Sequence, residues 1–201
     1  MLSTGSDSLR NVTLNEIEPN YALERTFAAR KSLNAALGDM EMFVQMDDLI
    51  LLIRKVFASV SPDPSQTLHM AELTDQAIGR EISQREWKDA RGKDQEQHWY
   101  DVPRESLLEC ESAIFHLEPD GWRFYLPAYL TLSLRMIDSG KFDCWVVWTI
   151  LFVLTLDNPV TDEYKRRRYD SLALEQKLAV QKFLQYVCLC NDQSSVKDAV
   201  E

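Results

Sequence analysis

The sequence predicts a mainly α-helical protein, a compact multi-helix domain with an N-terminal helical extension. Apolar residues recur at helical spacing in several separate windows, and the breaks between those windows fall at Pro, Gly and Asn. No matching pair of alternating segments presents itself as a β-hairpin. With 201 residues, 45% of them hydrophobic and 27% charged, the chain is long enough to bury a core without metal or disulfide staples. The organisation expected is a partly helical extension over 1–46, a helical core domain over 47–190 and a frayed tail over 191–201.

Residues 1–15 are rich in Ser, Thr and Asn and show no helical period, which predicts a loose lead-in. From Tyr21 to Met46 strong helix formers dominate, with Asn34 and Gly38 as the breakers, so one helix interrupted near Gly38, or two, fits. Asp47–Val60 sets Leu49, Leu52, Ile53, Val56 and Phe57 on one helical face. Ser61-Pro62-Asp63-Pro64 should end that helix, because proline cannot extend the hydrogen-bond ladder. Half of the eighteen residues from Glu81 to His98 are charged with mixed signs, which reads as a solvated helix, a mobile loop or a binding loop.

Farther on, Pro103 is expected at the first position of a helix whose Leu107, Cys110, Ile114 and Leu117 form a core stripe. Glu118-Pro119-Asp120-Gly121 should turn the chain, Trp122–Leu126 should be a short extended piece, and Pro127 should open a helix to about Ile137 that closes at Ser139-Gly140. The apolar run 144–156 suits a strand by composition and a buried helix by length; helix is preferred because no partner strand is evident. A turn at Asn158-Pro159 and a short charged helix around Asp162–Tyr169 follow. Leu172–Leu189 forms the last helix, with Leu172, Gln176, Ala179, Phe183 and Val187 on one side.

Net charge is −10, divided evenly between the two halves. An acidic surface repels phosphate backbones and anionic lipid, so nucleic acid is disfavoured, no membrane association is expected and a basic protein partner is favoured. Solubility alone is the plainer use of such a charge. The four cysteines, Cys110, Cys144, Cys188 and Cys190, form no C-x-x-C pair, which argues against zinc and against a disulfide framework. The first residues lack a basic start followed by an apolar stretch, and the 144–156 run is shorter than the ~20 residues a membrane helix needs. A cytoplasmic protein is expected, with no cofactor: neither G-x-G-x-x-G nor a P-loop pattern occurs.

On the helix expected after Pro103, Glu105, Glu109, Ser112 and His116 share the face opposite the core stripe. Carboxylates with a histidine can ligate a metal or exchange protons, but an exposed helical face is normally filled with such residues. No catalytic residue is assigned, and no metal ligand either. His69 and His98 read as surface histidines. Lys165-Arg166-Arg167-Arg168 could meet phosphate, or dock on the acidic 101–120 segment of the same chain, which carries six acids against Arg104 alone. The aromatic block from Trp122 to Tyr129 is read first as core; its other reading is an interface lined by Trp122, Tyr125 and Tyr129 with Arg123 as a polar anchor. The expected partner-binding set is Asp101, Glu105, Glu109, His116, Asp120, Trp122, Arg123 and Tyr125.

Trp99-x-Asp101-Val102-Pro103, Glu109-Cys110 and Gly121-Trp122-Arg123-Phe124-Tyr125-Leu126-Pro127-Ala128-Tyr129 resemble a bacterial family defined only as a domain of unknown function. The resemblance runs from about Asp48 to Val187 and ends in a Gln-x-x-Ala-Val-x-x-Phe-Leu-x-Tyr helix, here Gln176 to Tyr186. It implies no activity and no catalytic residue. The frequent placement of small proteins of this kind beside toxins implies an antitoxin-like role. The leading expectation is therefore a non-enzymatic acidic binding module, immunity-like or inhibitory. Two alternatives stand beside it: a helical enzyme with a carboxylate and histidine site, and a structural protein that oligomerises through residues 21–46.

Overall fold

In the computed structural model, residues 45–155 and 159–198 are described. The expectations for 1–44, including the helix broken near Gly38, and the turn at Asn158 lie outside them. Among the described residues there are eight α-helices, two 3₁₀ turns and no strand. The apolar run is helical from Trp145 to Leu154, so the ambiguity between strand and helix is settled on the helical side for those residues.

Helix α1, Met46–Val56, buries Leu49 and Ile53 and stops four residues before the expected Val60. Phe57, fully buried, carries the cause: its carbonyl accepts the Trp99 indole N–H at 3.2 Å and the Val60 N–H at 3.1 Å, so it is engaged before the helix can use it. Helices α2 (Leu68–Gln76) and α3 (Gln84–Arg91) form a hairpin through a turn in which Gly79 has φ +87°, a conformation suited to glycine. Helix α3 starts in a capping box between Ser83 and Glu86, the reciprocal arrangement that satisfies two orphan donors.

The 3₁₀ turn Trp99–Asp101 leads to α4, Arg104–Glu109, with Pro103 at its cap rather than at its first position. The helix expected to continue past Leu117 breaks at Cys110, and a 3₁₀ turn, Ala113–Phe115, follows. The stripe Leu107, Cys110, Ile114 and Leu117 is nevertheless wholly buried. Burial was legible where the backbone path was not.

The largest correction concerns α5, which runs without interruption from Pro119 to Asp138. Pro119 occupies its first turn, where a missing N–H costs nothing, so Pro119–Gly121 of the expected turn and the expected extended piece Trp122–Leu126 are helix instead, with Glu118 as the extended cap. Pro127 sits inside, where it removes one ladder bond and costs roughly 3 kcal/mol. Trp122, Phe124, Tyr125 and Tyr129 are all buried around it, and each contributes about 1.5–3 kcal/mol by apolar burial. Burial outweighs the broken bond.

Helices α6 (Trp145–Leu154), α7 (Pro159–Asp170) and α8 (Leu174–Asp198) complete the domain, and α8 extends past the expected end at Leu189 into the segment expected to fray. Its predicted stripe is in place: Leu172, Gln176, Ala179, Phe183 and Val187 are buried. Gln176 belongs there because its amide donates to the Val56 carbonyl at 3.2 Å, serving the end of α1, while its oxygen accepts from the Ala173 N–H at 2.9 Å. Helix α5 is the central rod, packed against α1, α4, α6, α7, α8 and both 3₁₀ turns.

Candidate functional site

Tyr129 donates its hydroxyl to the Cys110 carbonyl, occupying the acceptor where the helix breaks. The residues beyond the break are drawn to α2. Ser112 Oγ lies 3.0 Å from both Glu72 Oε2 and Asp75 Oδ2, and His116 Nε2 lies 2.9 Å from Asp75 Oδ1. The expected face of Glu105, Glu109, Ser112 and His116 therefore does not exist as one surface: Glu105 and Glu109 belong to α4, and His116 to the packing of the second 3₁₀ turn on α2.

This geometry also bears on chemistry. Asp75 stands between Ser112 and His116, so the imidazole is bonded to a carboxylate and not to the hydroxyl it would need to activate. Among the described residues no three His, Cys, Asp or Glu side chains are grouped to hold a metal ion. Nor is any described helix long and apolar enough to cross a membrane.

The aromatic block belongs to the core. Trp122 is 0% exposed and Tyr125 3%, so neither can meet a partner at the surface as the interface reading required. Burial raises the Tyr125 hydroxyl above its ordinary pKa, with Asp94 adding to the effect. Arg123 does stand at the edge, donating to the Ser171 carbonyl and to Asp120, each at 3.3 Å. Asp120 is thereby partly neutralised.

The basic cluster is dismantled by folding. Lys165 and Arg168 are buried, and Arg168 donates to the Phe115 and Leu117 carbonyls and to the Tyr164 hydroxyl. Arg167 pairs with Glu118 at 3.3 Å. Docking onto the 101–120 segment is thus realised at its end, through backbone carbonyls and Glu118. Asp101, Glu105 and Glu109 are exposed and have no ion-pair partner among the described residues.

Sequence reasoning missed a cleft of about 270 Å³ between α2, α3 and α4. His69, Glu72 and Gln76 line it from α2, Glu86 and Asp89 from α3, Lys93 from the loop after α3, and Glu109 with Cys110 from the end of α4. Four carboxylates, Glu72, Glu86, Asp89 and Glu109, stand against Lys93 in its lining. Burial pushes the Cys110 thiol up to about 12, and Glu72, Asp94 and Glu109 push in the same direction. Partial burial and then Glu72 raise the Glu111 carboxyl above its ordinary range. A protonated thiol is a poor nucleophile, so Cys110 is a structural cysteine. Among the expected residues, only Glu109 lines the cleft.

A family model described as a family of unknown function (DUF6714) matches residues 45–201, and the chain belongs to that family. No curated protein and no solved structure matches the chain.

Proposed function

We propose that this member of a family of unknown function is a non-enzymatic module that binds a basic protein partner through the acidic surface of α4 and the adjoining cleft, as an inhibitor or immunity protein would. An antitoxin-like role and a bacterial, cytoplasmic setting belong to the same proposal. The observation that carries it is a set of unpaired negative charges: Asp101, Glu105 and Glu109 stand exposed and unpaired among the described residues, and Glu109 also lines the cleft with Glu72, Glu86 and Asp89. A cationic surface relieves that repulsion, and its attraction acts first on the encounter rate.

The enzyme alternative needs Glu105, Glu109 and His116 on one face, and the break at Cys110 separates them. Oligomerisation through residues 21–46 turns on a segment outside the described residues up to 44. The test is capture at low salt with native chain and with Glu105→Lys/Glu109→Lys. A stoichiometric basic protein should be retained by the native chain and lost by the variant, with an association rate that falls as salt rises. Absence of any stoichiometric partner at low salt overturns the proposal.

A further inference from the structure

At the start of α2 the two ring nitrogens of His69 have different surroundings. Asp94 Oδ2 accepts the His69 backbone N–H at 2.9 Å, and Asp94 Oδ1 lies 2.7 Å from His69 Nδ1. The two side chains are 10% and 4% exposed, so the imidazole is held rigidly and nine-tenths buried. A carboxylate can only accept, so in the neutral ring Nδ1 carries the proton and Nε2 keeps its lone pair. Among the described residues Nε2 has no hydrogen-bond partner, yet it is not among the sealed, unpartnered atoms of the core. The cleft is where it opens.

Of the charged residues lining the cleft, Glu72 comes from α2, where it already accepts from the Gln76 amide and lies 3.0 Å from Ser112 Oγ. Helix α3 supplies Glu86, paired with Arg80 at 2.8 Å, and Asp89, paired with Arg85 at 3.7 Å. The loop after α3 supplies Asp94 behind the ring and exposed Lys93 at the rim, and α4 supplies Glu109 beside the Cys110 thiol. Apart from Lys93, Gln76 and the thiol, these groups accept hydrogen bonds and do not donate them. A ligand that fits must be cationic and rich in donors.

We propose that this cleft binds the guanidinium of an arginine side chain, with His69 Nε2, its ring oriented by Asp94, as an acceptor and Glu72 and Glu109 balancing its charge. A guanidinium presents five donors in one plane and is weakly hydrated, so it can address an imidazole lone pair and flanking carboxylates together. An ammonium is a compact, strongly hydrated point charge and gains less from a single neutral acceptor. The inference rests on the basic-partner reading and specifies the group that partner inserts.

The experiment uses the full chain with two probes, tetra-arginine amide and tetra-lysine amide, titrated calorimetrically at low salt, alongside nitrogen NMR of the His69 ring. The native chain should prefer the arginine peptide by about tenfold, the scale of one charge-assisted hydrogen bond. His69→Phe should remove that preference. Asp94→Asn tests position separately from fold: its amide can donate to Nδ1, which moves the ring proton to Nε2 and turns the acceptor into a donor. The NMR tautomer should switch and the preference vanish while the helical circular dichroism stays. Equal affinity of the native chain for both peptides overturns the guanidinium assignment. If a preference survives in both variants, His69 is not the acceptor; weakening by Glu105→Lys would then leave the acidic-surface reading standing. If neither peptide binds the native chain at low salt, the guanidinium assignment falls, and capture with Glu105→Lys/Glu109→Lys decides the acidic-surface reading separately.

Discussion

Arg168 shows how a cationic residue becomes part of a core. Its guanidinium, 2% exposed, donates to the Leu117 carbonyl from Nε and to the Phe115 carbonyl from a terminal nitrogen, each at 2.8 Å. Burial lowers its pKa, and Tyr164 works against that. Arg168→Met keeps much of the stem but leaves the Phe115 carbonyl without a partner and the Leu117 carbonyl with the Tyr164 hydroxyl alone, so stability should fall by about 2–4 kcal/mol, read as a lower midpoint in urea denaturation. A signal for this existed in the sequence: Arg168 lies four residues before Leu172 and three after Lys165, and all three are buried. Four adjacent cations masked it, because composition counts charges without saying which face they take. Glu111 offers the opposite case. Its folded pKa is raised, so the contribution present below the ordinary carboxylate range is lost as pH rises through the raised value. Glu111→Gln should raise the Tm at neutral pH and lose that advantage in acid. For Glu86, lowered to about 2 by the Ser83 backbone N–H and hydroxyl and then by Arg80, the contribution is present above the ordinary range and fades as pH falls toward about 2.

Helical faces read correctly were those in which one stripe decides what is buried, as in α1 and α8, although the ends of both helices differ from the expected ones. The reading failed around Cys110 and Pro127, where long-range contacts override local grammar. The contact of Tyr129 with the Cys110 carbonyl joins positions nineteen residues apart, and nothing near Cys110 announces it. Tyr129→Phe should cost about 1–2 kcal/mol by leaving that buried carbonyl without the hydroxyl, with little change in helical circular dichroism. Gly121, taken as a turn glycine, is required for a different reason: a Cβ there would stand 2.7 Å from Gln66 Cβ and 2.8 Å from the Gln66 carbonyl oxygen. Gly121→Ala should push the 61–67 segment away from α5 and lower stability by roughly 1–3 kcal/mol, measurable as a drop in Tm. The His69 and Asp94 pair was equally hidden, since its partners are twenty-five residues apart and each looks like an ordinary surface residue.

Among the described residues, apolar burial and the acids of the cleft are separated. Core residues gather around α5, while Glu105, Glu109 and the cleft acids lie on α2, α3 and α4. The charge excess was legible from composition, but its concentration beside α2 was not, because the fold removes Arg167, Arg168 and Lys165 from the pool of free surface cations. If the acidic surface receives a basic partner, raising salt from low to physiological should slow association far more than dissociation, a difference that stopped-flow mixing resolves. The α2–α3 hairpin has a further bearing on how such a surface behaves. Helix α3 buries only Ala90 fully and packs on α2, whereas α5 is enclosed along nearly its whole length. Amide deuteration should therefore proceed rapidly over Gln84–Arg91 and slowest over Leu130–Ile137. The acidic mouth can loosen and re-form many times within the lifetime of one complete unfolding, so it can adjust its outline to a visitor while the aromatic rod behind it holds still.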